Sequence, residues 1–234
     1  MQRSVLLGCL LAATSAWAAP TGLNTIPTAD LVPLRSANVA LQNGNTDLRG
    51  SQSLFRQPEP VPQTELGLPW RFEGGLDVAP SDPPDRYRPQ FNLKWTPLPE
   101  DYQWPAVAGG VSQLGPGFTT NYFLVASRTL NYEQIQYQKF RAHHRNIKLR
   151  GIRAHAGILR TVGNQWHALI GTDVELSDHF VLYADWISSA QNAFSLGGVI
   201  VIDRENSLQL ALFRGNQENR ISGLLLNFTH TFSW

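Results

Sequence analysis

The 234-residue sequence has a single cysteine, few charged residues and no long apolar run beyond its N-terminal stretch. An intrachain disulfide is therefore excluded, and burial and hydrogen bonds must hold the fold together. Nineteen Lys and Arg residues against 18 Asp and Glu residues give a net charge of +1, which argues against a nucleic-acid partner. Charged residues make up 16% of the chain, against roughly 25% in ordinary soluble domains. After the N-terminal stretch, no segment reaches the ~18 uncharged apolar residues that a spanning helix needs.

Residues 1–18 have the pattern of a secretory signal peptide. Arg3 precedes the apolar stretch VLLGCLLAATSAWA, which ends in the small-x-small cleavage pattern Ala16-Trp17-Ala18. We expect cleavage after Ala18, give or take one residue. Residues 6–9, LLGC, also resemble a lipoprotein processing box, but a processing cysteine there would leave almost no apolar run before it. The sequence therefore predicts an exported chain whose mature form lacks cysteine.

The next segment, residues 19–35, is predicted to be an extended periplasmic lead-in. It is interrupted by Pro20, Pro27 and Pro33 and shows no helix or strand periodicity. Residues 36–234 are assigned to one further domain, because alternation of apolar and polar residues begins there and continues to the last residue.

This alternation predicts about twelve strands, with an uncertainty of two because residues 130–150 fit a hairpin, a short helix or a basic turn. Several strands reach the roughly nine to eleven residues that a tilted strand needs to cross a bilayer. The predicted strands are residues 36–43, 63–69, 72–79, 90–96, 105–112, 120–129, 151–160, 165–176, 180–188, 193–203, 207–215 and 221–234.

Two folds fit strands with one apolar and one polar face: a soluble sheet with a wet outer face, or a membrane barrel with a polar lumen. If the bulky apolar row faces lipid, the other row carries charges of both signs into the lumen. The predicted lumen-facing residues are Glu65, Glu73, Asp77, Lys94, Arg153, His155, Asp173, Glu175 and Asp185. A hydrated lumen tolerates these groups, whereas unpaired carboxylates in a dry core each carry a large desolvation cost.

Turn lengths and aromatic residues support the membrane alternative. Short connections at residues 69–71, 177–179 and 204–206 would all lie at one end, as the periplasmic turns of bacterial barrels do. Most tryptophans, together with Phe180 and Phe232, fall near predicted strand ends, where interfacial aromatic girdles form. The sequence thus predicts an all-β, transmembrane antiparallel β-barrel of about 12 strands (10–14), located in the outer membrane of a Gram-negative bacterium.

Catalytic and metal-binding patterns are weak. His155 or His167 with Asp173 or Asp185 could form part of a lipid hydrolase site, but an inward histidine near an inward carboxylate is expected in any charged lumen. The sequence contains no Gly-x-Ser-x-Gly motif and no Gly-rich phosphate loop. His143-His144 lacks the further ligands that a metal shell requires. We therefore predict no catalytic residue, no cofactor and no metal.

Several segments resemble YjbH-like outer-membrane proteins. The opening TGLNTIPTADLVPLRSANVAL contains Gly22, the triplet Pro27-Thr28-Ala29 and then a first strand. ELGLPWRFEGGLDV, FNLKWTPL, AVAGGVSQL and YFLVASRTL follow in the order of that group's strand–turn–strand units. The resemblance implies an outer-membrane barrel, linked in some relatives to exopolysaccharide production or export, and it supplies no catalytic residues. This chain is shorter than the large members linked to polysaccharide.

The C-terminal segment LLLNFTHTFSW is similar to the signal that the barrel-assembly machinery recognises. Its outward row includes Phe228 and Phe232 and ends on Trp234. The resemblance implies the assembly machinery as a partner, in addition to outer-membrane lipid. We expect deletion of Trp234 to impair assembly.

Three functions remain open from the sequence. The leading hypothesis is a non-enzymatic pore or docking protein for a polar solute or glycan, with a lumen filled in part by the lead-in or by charged pairs. The second is a structural or accessory barrel with a closed lumen that binds envelope machinery, polysaccharide or its export proteins. The third is a barrel lipid hydrolase.

Overall fold

The chain folds into a closed barrel of twelve antiparallel strands, β1 to β12, in which every strand pairs with its neighbours in sequence. The computed structural model describes residues 22–23, 26–45, 60–80, 87–131, 151–161, 165–188, 193–215 and 222–234. The predicted all-β barrel is confirmed, with its predicted number of strands. In order, the strands are Ser36–Asn45, Val61–Leu68, Phe72–Pro80, Tyr87–Leu98, Ala106–Leu114, Asn121–Thr129, Ile152–Thr161, Gln165–Ser177, Phe180–Ile187, Ala193–Val201, Asn206–Gly215 and Ser222–Ser233.

The strand bounds differ from the predicted ones by at most three residues. The largest change is in β4, predicted at 90–96 and observed at Tyr87–Leu98. Pro89 lies inside this extension, and proline weakens a strand prediction because it has no N–H to donate. A bulge at Gln113, whose φ is 60°, shifts the register between β4 and β5.

Closure joins the first and last strands. Ser36 lies opposite Ser233, and the β1–β12 register continues to Asn45 opposite Leu224. A closed ladder leaves no strand edge with unpaired N–H and C=O groups, which lipid could not satisfy. The alternating C-terminal segment is therefore the closing strand of the barrel.

The two faces of the barrel wall differ sharply in chemistry. The outward row is apolar and exposed, for example at Leu124 (51%), Ile170 (55%) and Leu210 (50%). The inward row contains polar and charged side chains that the barrel covers, such as Lys94 at 0% and Asp185 at 2%. This pattern is that of a transmembrane barrel with lipid outside and a polar interior.

The end where β1 begins and β12 ends, the terminal end, carries the short turns Pro69–Arg71, 178–179 and 202–205. Trp70 and Arg71 adopt positive φ angles of 56° and 64°, which lets β2 turn directly into β3. The opposite end is called the loop end. Since short turns mark the periplasmic side of bacterial barrels, the terminal end is the expected periplasmic end.

Aromatic side chains cluster near both ends. Trp70, Trp104 and Trp234 are exposed at the terminal end. At the loop end, the Arg160 guanidinium lies 5.5 Å from the centre of the Trp166 ring. These positions suit the headgroup layers, where amphipathic side chains concentrate.

Some sequence predictions lie outside the described residues: the signal peptide, most of the ambiguous segment 130–150, and His143-His144. Among the residues that are described, no helix has the length and apolar character to cross a membrane.

The assignment of β11 side chains to a lipid-facing row and an inward row can be tested by mutation. Leu210→Arg should lower the free energy of unfolding by about 2–4 kcal/mol, because it places a cation in the lipid-facing row near the strand centre. The neighbouring control Gln209→Arg, on the inward row, should cost clearly less. Urea unfolding in lipid vesicles measures both, and equal costs would contradict the assignment.

Candidate functional site

An N-terminal segment lies across the barrel interior. This inner segment comprises residues 22–23 and 26–35, and its apolar side chains Leu23, Ile26, Ala29 and Val32 are all buried. Leu23 and Ile26 cluster with Leu169 of β8. Ala29 then joins a cluster with residues of β5 and β6: Ala106, Ala108, Phe123 and Val125. The segment therefore contacts β8 first and then β5 and β6.

Side chains of the barrel wall bind the backbone of the inner segment. The Ala29 N–H donates to Ser127 Oγ at 2.9 Å, and Thr96 Oγ1 donates to the Ala29 carbonyl at 3.1 Å. The Val32 N–H donates to Glu73 Oε2 at 2.9 Å. These bonds satisfy backbone groups that would otherwise be buried without partners, a loss of about 1–3 kcal/mol each.

Gly67 of β2 makes room for the last part of the segment. Leu34 and Gly67 form a parallel β-bridge, and a Cβ atom at Gly67 would lie only 2.0 Å from the Pro33 carbonyl oxygen. On the far side, a Cβ atom at Gly171 would meet the side chains of Leu23 and Ile26 at 2.5 and 2.8 Å. Both glycines thus allow the segment to approach the wall.

An ion pair holds the middle of the segment. Arg153 Nη1 lies 2.5 Å from Asp30 Oδ2, and Arg153 Nη2 lies 3.8 Å from Glu100 Oε2. Burial alone would raise the pKa of the Asp30 carboxyl, but the charge and hydrogen bond of Arg153 bring that pKa below its ordinary value. This pair stabilises the docked segment above the ordinary carboxyl pKa, and its contribution is lost as the pH falls through the lowered one.

Glu73 connects the segment to a buried charge pair in the wall. Its Oε1 lies 3.1 Å from Lys94 Nζ, and both side chains are almost fully buried. The two residues face each other across β3 and β4. One carboxylate therefore neutralises a wall cation and accepts a hydrogen bond from the inner segment.

Ser127, His155 and Asp173 form a buried relay beneath Ala29. Ser127 Oγ lies 2.8 Å from His155 Nδ1, and His155 Nε2 lies 2.8 Å from Asp173 Oδ2. Since the hydroxyl accepts the Ala29 N–H, its own proton is available for Nδ1. The nitrogen roles are reversed relative to serine proteases, in which Nε2 faces the serine. Ser127 is 1% exposed, so this relay anchors the segment and offers no access to substrate in this structure.

The remaining predicted lumen residues have separate partners. Asp77 accepts a hydrogen bond from Asn92, and Asp185 accepts one from Ser195 at 2.6 Å. Glu175 accepts from the Gly151 N–H at 3.3 Å, and Glu65 from Asn38 at 3.5 Å. All nine predicted residues lie on the inward row, as their cross-strand partners show.

The structure assembles the hydrolase residues considered from the sequence only in part. His155 contacts Asp173, but His167 Nδ1 instead bonds the Ser188 carbonyl oxygen at 2.5 Å. Among the described residues, no group of three or more His, Cys, Asp or Glu side chains is arranged to hold a metal ion.

The spacing of apolar residues in the inner segment is a sequence signal that could have predicted its burial. Leu23, Ile26, Ala29 and Val32 are buried and spaced by three, which matches one face of a polyproline II helix. The inward orientation of Ser127 could also have been predicted from the sequence, because Ser127 shares the alternating inward row of β6 with Phe123 and Val125.

A second wall of the interior is uncharged. In the described strands β10, β11, β12 and β1, the inward row contains no Asp, Glu, Lys or Arg. Five of its polar members, Asn38, Gln209, Asn227, Thr229 and Thr231, are partly exposed although they lie inside the barrel, whereas Ser36, Gln42 and Ser195 are buried. Toward the loop end, an apolar cluster follows: Val61, Ala79, Ala211 and Leu225, packed by Phe118 and Phe213.

The predicted assembly residues lie on the outward row of β12. Phe228, Phe232 and Trp234 are exposed, and the Trp234 N–H donates to the Arg35 carbonyl at 3.1 Å. Their role in assembly remains a prediction.

The Ser127–Ala29 hydrogen bond can be tested by amide exchange. Ser127→Ala should speed exchange of the Ala29 amide roughly 5- to 150-fold, since an unsatisfied buried N–H costs about 1–3 kcal/mol. Ser112→Ala is the matched control, because Ser112 is also inward and buried but bonds no described part of the segment. Equal exchange at Ala29 in both variants would contradict this attachment.

No family model and no curated protein matches this sequence. Among solved structures, the chain is similar to the KdgM porin in complex with disordered oligogalacturonate, with a TM-score of 0.50 and 5% identity over 84% of this chain and 99% of that one. An outer-membrane channel from Pseudomonas putida F1 gives a TM-score of 0.45 and 10% identity over 92% of this chain and 100% of that one. At such identities the likeness concerns the fold alone, and the chain therefore has a porin-like outer-membrane β-barrel fold.

Proposed function

We propose that this chain is a non-enzymatic outer-membrane pore for small polar solutes, obstructed by its own N-terminal segment. The observation that carries the proposal is the inner segment itself, which crosses a polar interior without belonging to the barrel wall. A barrel that served only as a membrane anchor would not need a charged interior, nor a segment that covers it.

The attachments of the inner segment are suited to release. They consist of side-chain hydrogen bonds to Ala29 and Val32, one partly exposed ion pair at Asp30, and the burial of a few apolar side chains. A hydrogen bond contributes about 0.5–1.5 kcal/mol net, because water replaces the lost partner. Removing the segment would expose hydroxyl and charged groups that water can solvate, and the strand ladders would remain intact.

A structural or accessory barrel is the second candidate function. Two features that obstruct the lumen favour it. The inner segment crosses the lumen, and the apolar cluster around Phe118 narrows it toward the loop end. In this version the partner would be envelope machinery, and the resemblance to YjbH-like proteins suggests exopolysaccharide export. Specific co-purification of an export protein from a silent barrel would favour this candidate.

Lipid or ester hydrolysis receives less support. The Ser127 hydroxyl is covered by the Ala29 N–H. A nucleophile near the centre of a covered lumen is also poorly placed to meet a lipid substrate.

Planar-bilayer recording tests the pore proposal. Gly67→Ala should raise the step conductance above that of the parent chain, because its Cβ atom overlaps the Pro33 carbonyl and drives the segment off β2. Gly75→Ala is the matched control: it lies on the inward row of β3, where a Cβ atom would approach only Asn92 and the strand backbone.

Gel migration that changes on heating would show that each variant is folded. Folded Gly67→Ala protein that stays as silent as the parent and the control would contradict the pore and favour the accessory barrel.

A further inference from the structure

The charges of the barrel interior lie on one side only. The inward charged residues of the described strands all belong to β2–β4 and β7–β9, and the inner segment covers this region through Glu73, Arg153 and the Ser127 relay. The opposite wall, from β10 through β12 to β1, carries Thr, Asn, Gln and Ser side chains together with Val199, Val201, Ala211, Phe213 and Leu225, and its described residues include no inward charge. The segment therefore lies over part of the charged wall, and the uncharged wall lies beside it.

Side-chain exposure differs between the two parts of the interior. Wall residues beneath the segment are nearly inaccessible, with Glu73 at 2% and His155 at 1%. On the uncharged wall, Asn38, Thr229 and Thr231 remain partly exposed although the barrel surrounds them.

We infer that the uncharged wall forms a permeation lane beside the inner segment, closed at one end in this structure, and that the opened lane passes small uncharged, hydroxyl-rich solutes. This inference rests on the proposed pore function and names its solute class. Thr hydroxyls and Asn or Gln amides both donate and accept, so they replace the hydrogen bonds that a hydroxylated solute loses to water. The described residues of this wall carry no fixed charge that would favour a cation or an anion.

Phe118 closes the lane toward the loop end. Ala211 and Leu225 lie one inward position beyond Gln209 and Asn227, and Phe118 of the β5–β6 connection packs against the apolar cluster that contains them. An apolar constriction of this kind blocks passage by excluding water. Phe118 is therefore the closing residue of the lane, separate from the attachments of the inner segment.

Cysteine accessibility tests whether the lane exists, in chains that lack Cys9 or carry Cys9→Ser, so that the introduced cysteine is the only thiol. Thr229→Cys should react with a cationic and an anionic methanethiosulfonate reagent at similar rates, because the wall carries no charge to favour either. Ser195→Cys is the matched control: it is inward on β10, 0% exposed and bonded to Asp185. It should react at least about tenfold more slowly, since a buried site reacts only through local opening. If both introduced cysteines react equally slowly, the proposed lane is wrong.

Conductance tests the role of Phe118 and separates the two proposals. Phe118→Ser should open steps with little preference between K⁺ and Cl⁻, while Phe118→Leu should stay at the parent level because it keeps the apolar closure. If Gly67→Ala conducts and folded Phe118→Ser remains at the parent level, the lane is wrong and the pore stands. If every folded variant is silent, the pore function itself is wrong.

Discussion

Backbone hydrogen bonding in lipid is the constraint on which the rest of this structure depends. Every N–H and C=O of a strand within the bilayer needs a partner, so the sheet must close, and β1 pairs with β12 along its whole length. Closure fixes the period-two pattern of each strand, with one row toward lipid and the other inward. The apolar outer surface and the polar interior correspond to these two rows.

The same constraint determines how the inner segment is held. Strand ladders use the backbone groups of the wall, so a segment inside the barrel must bind side chains, and it does so at Ser127, Thr96 and Glu73. Direct backbone pairing occurs at Gly67, where the absence of a side chain permits it. The segment is consequently docked onto the wall without becoming another strand, which makes a movable obstruction physically reasonable.

Local periodicity explains what could be predicted from the sequence. The strands, their inward rows and the closing segment follow from alternation within about ten residues, and the inward residues Glu73, Lys94 and Asp173 were identified in this way. The inner segment has no strand periodicity, and its partners lie far away in sequence: Asp30 pairs with Arg153, 123 residues later. Such contacts depend on closure of the barrel, which places β7 opposite the N-terminal segment, and no local pattern encodes them.

Nuclear Overhauser effects on the full chain in lipid nanodiscs test the location of the inner segment most directly. If the segment is docked inside the barrel, contacts are expected between the Ala29 amide proton and side-chain protons of Ser127 and Val125 on β6. Sharp, random-coil signals for Ala29 without such contacts, in a barrel whose strand-to-strand effects are intact, would contradict it.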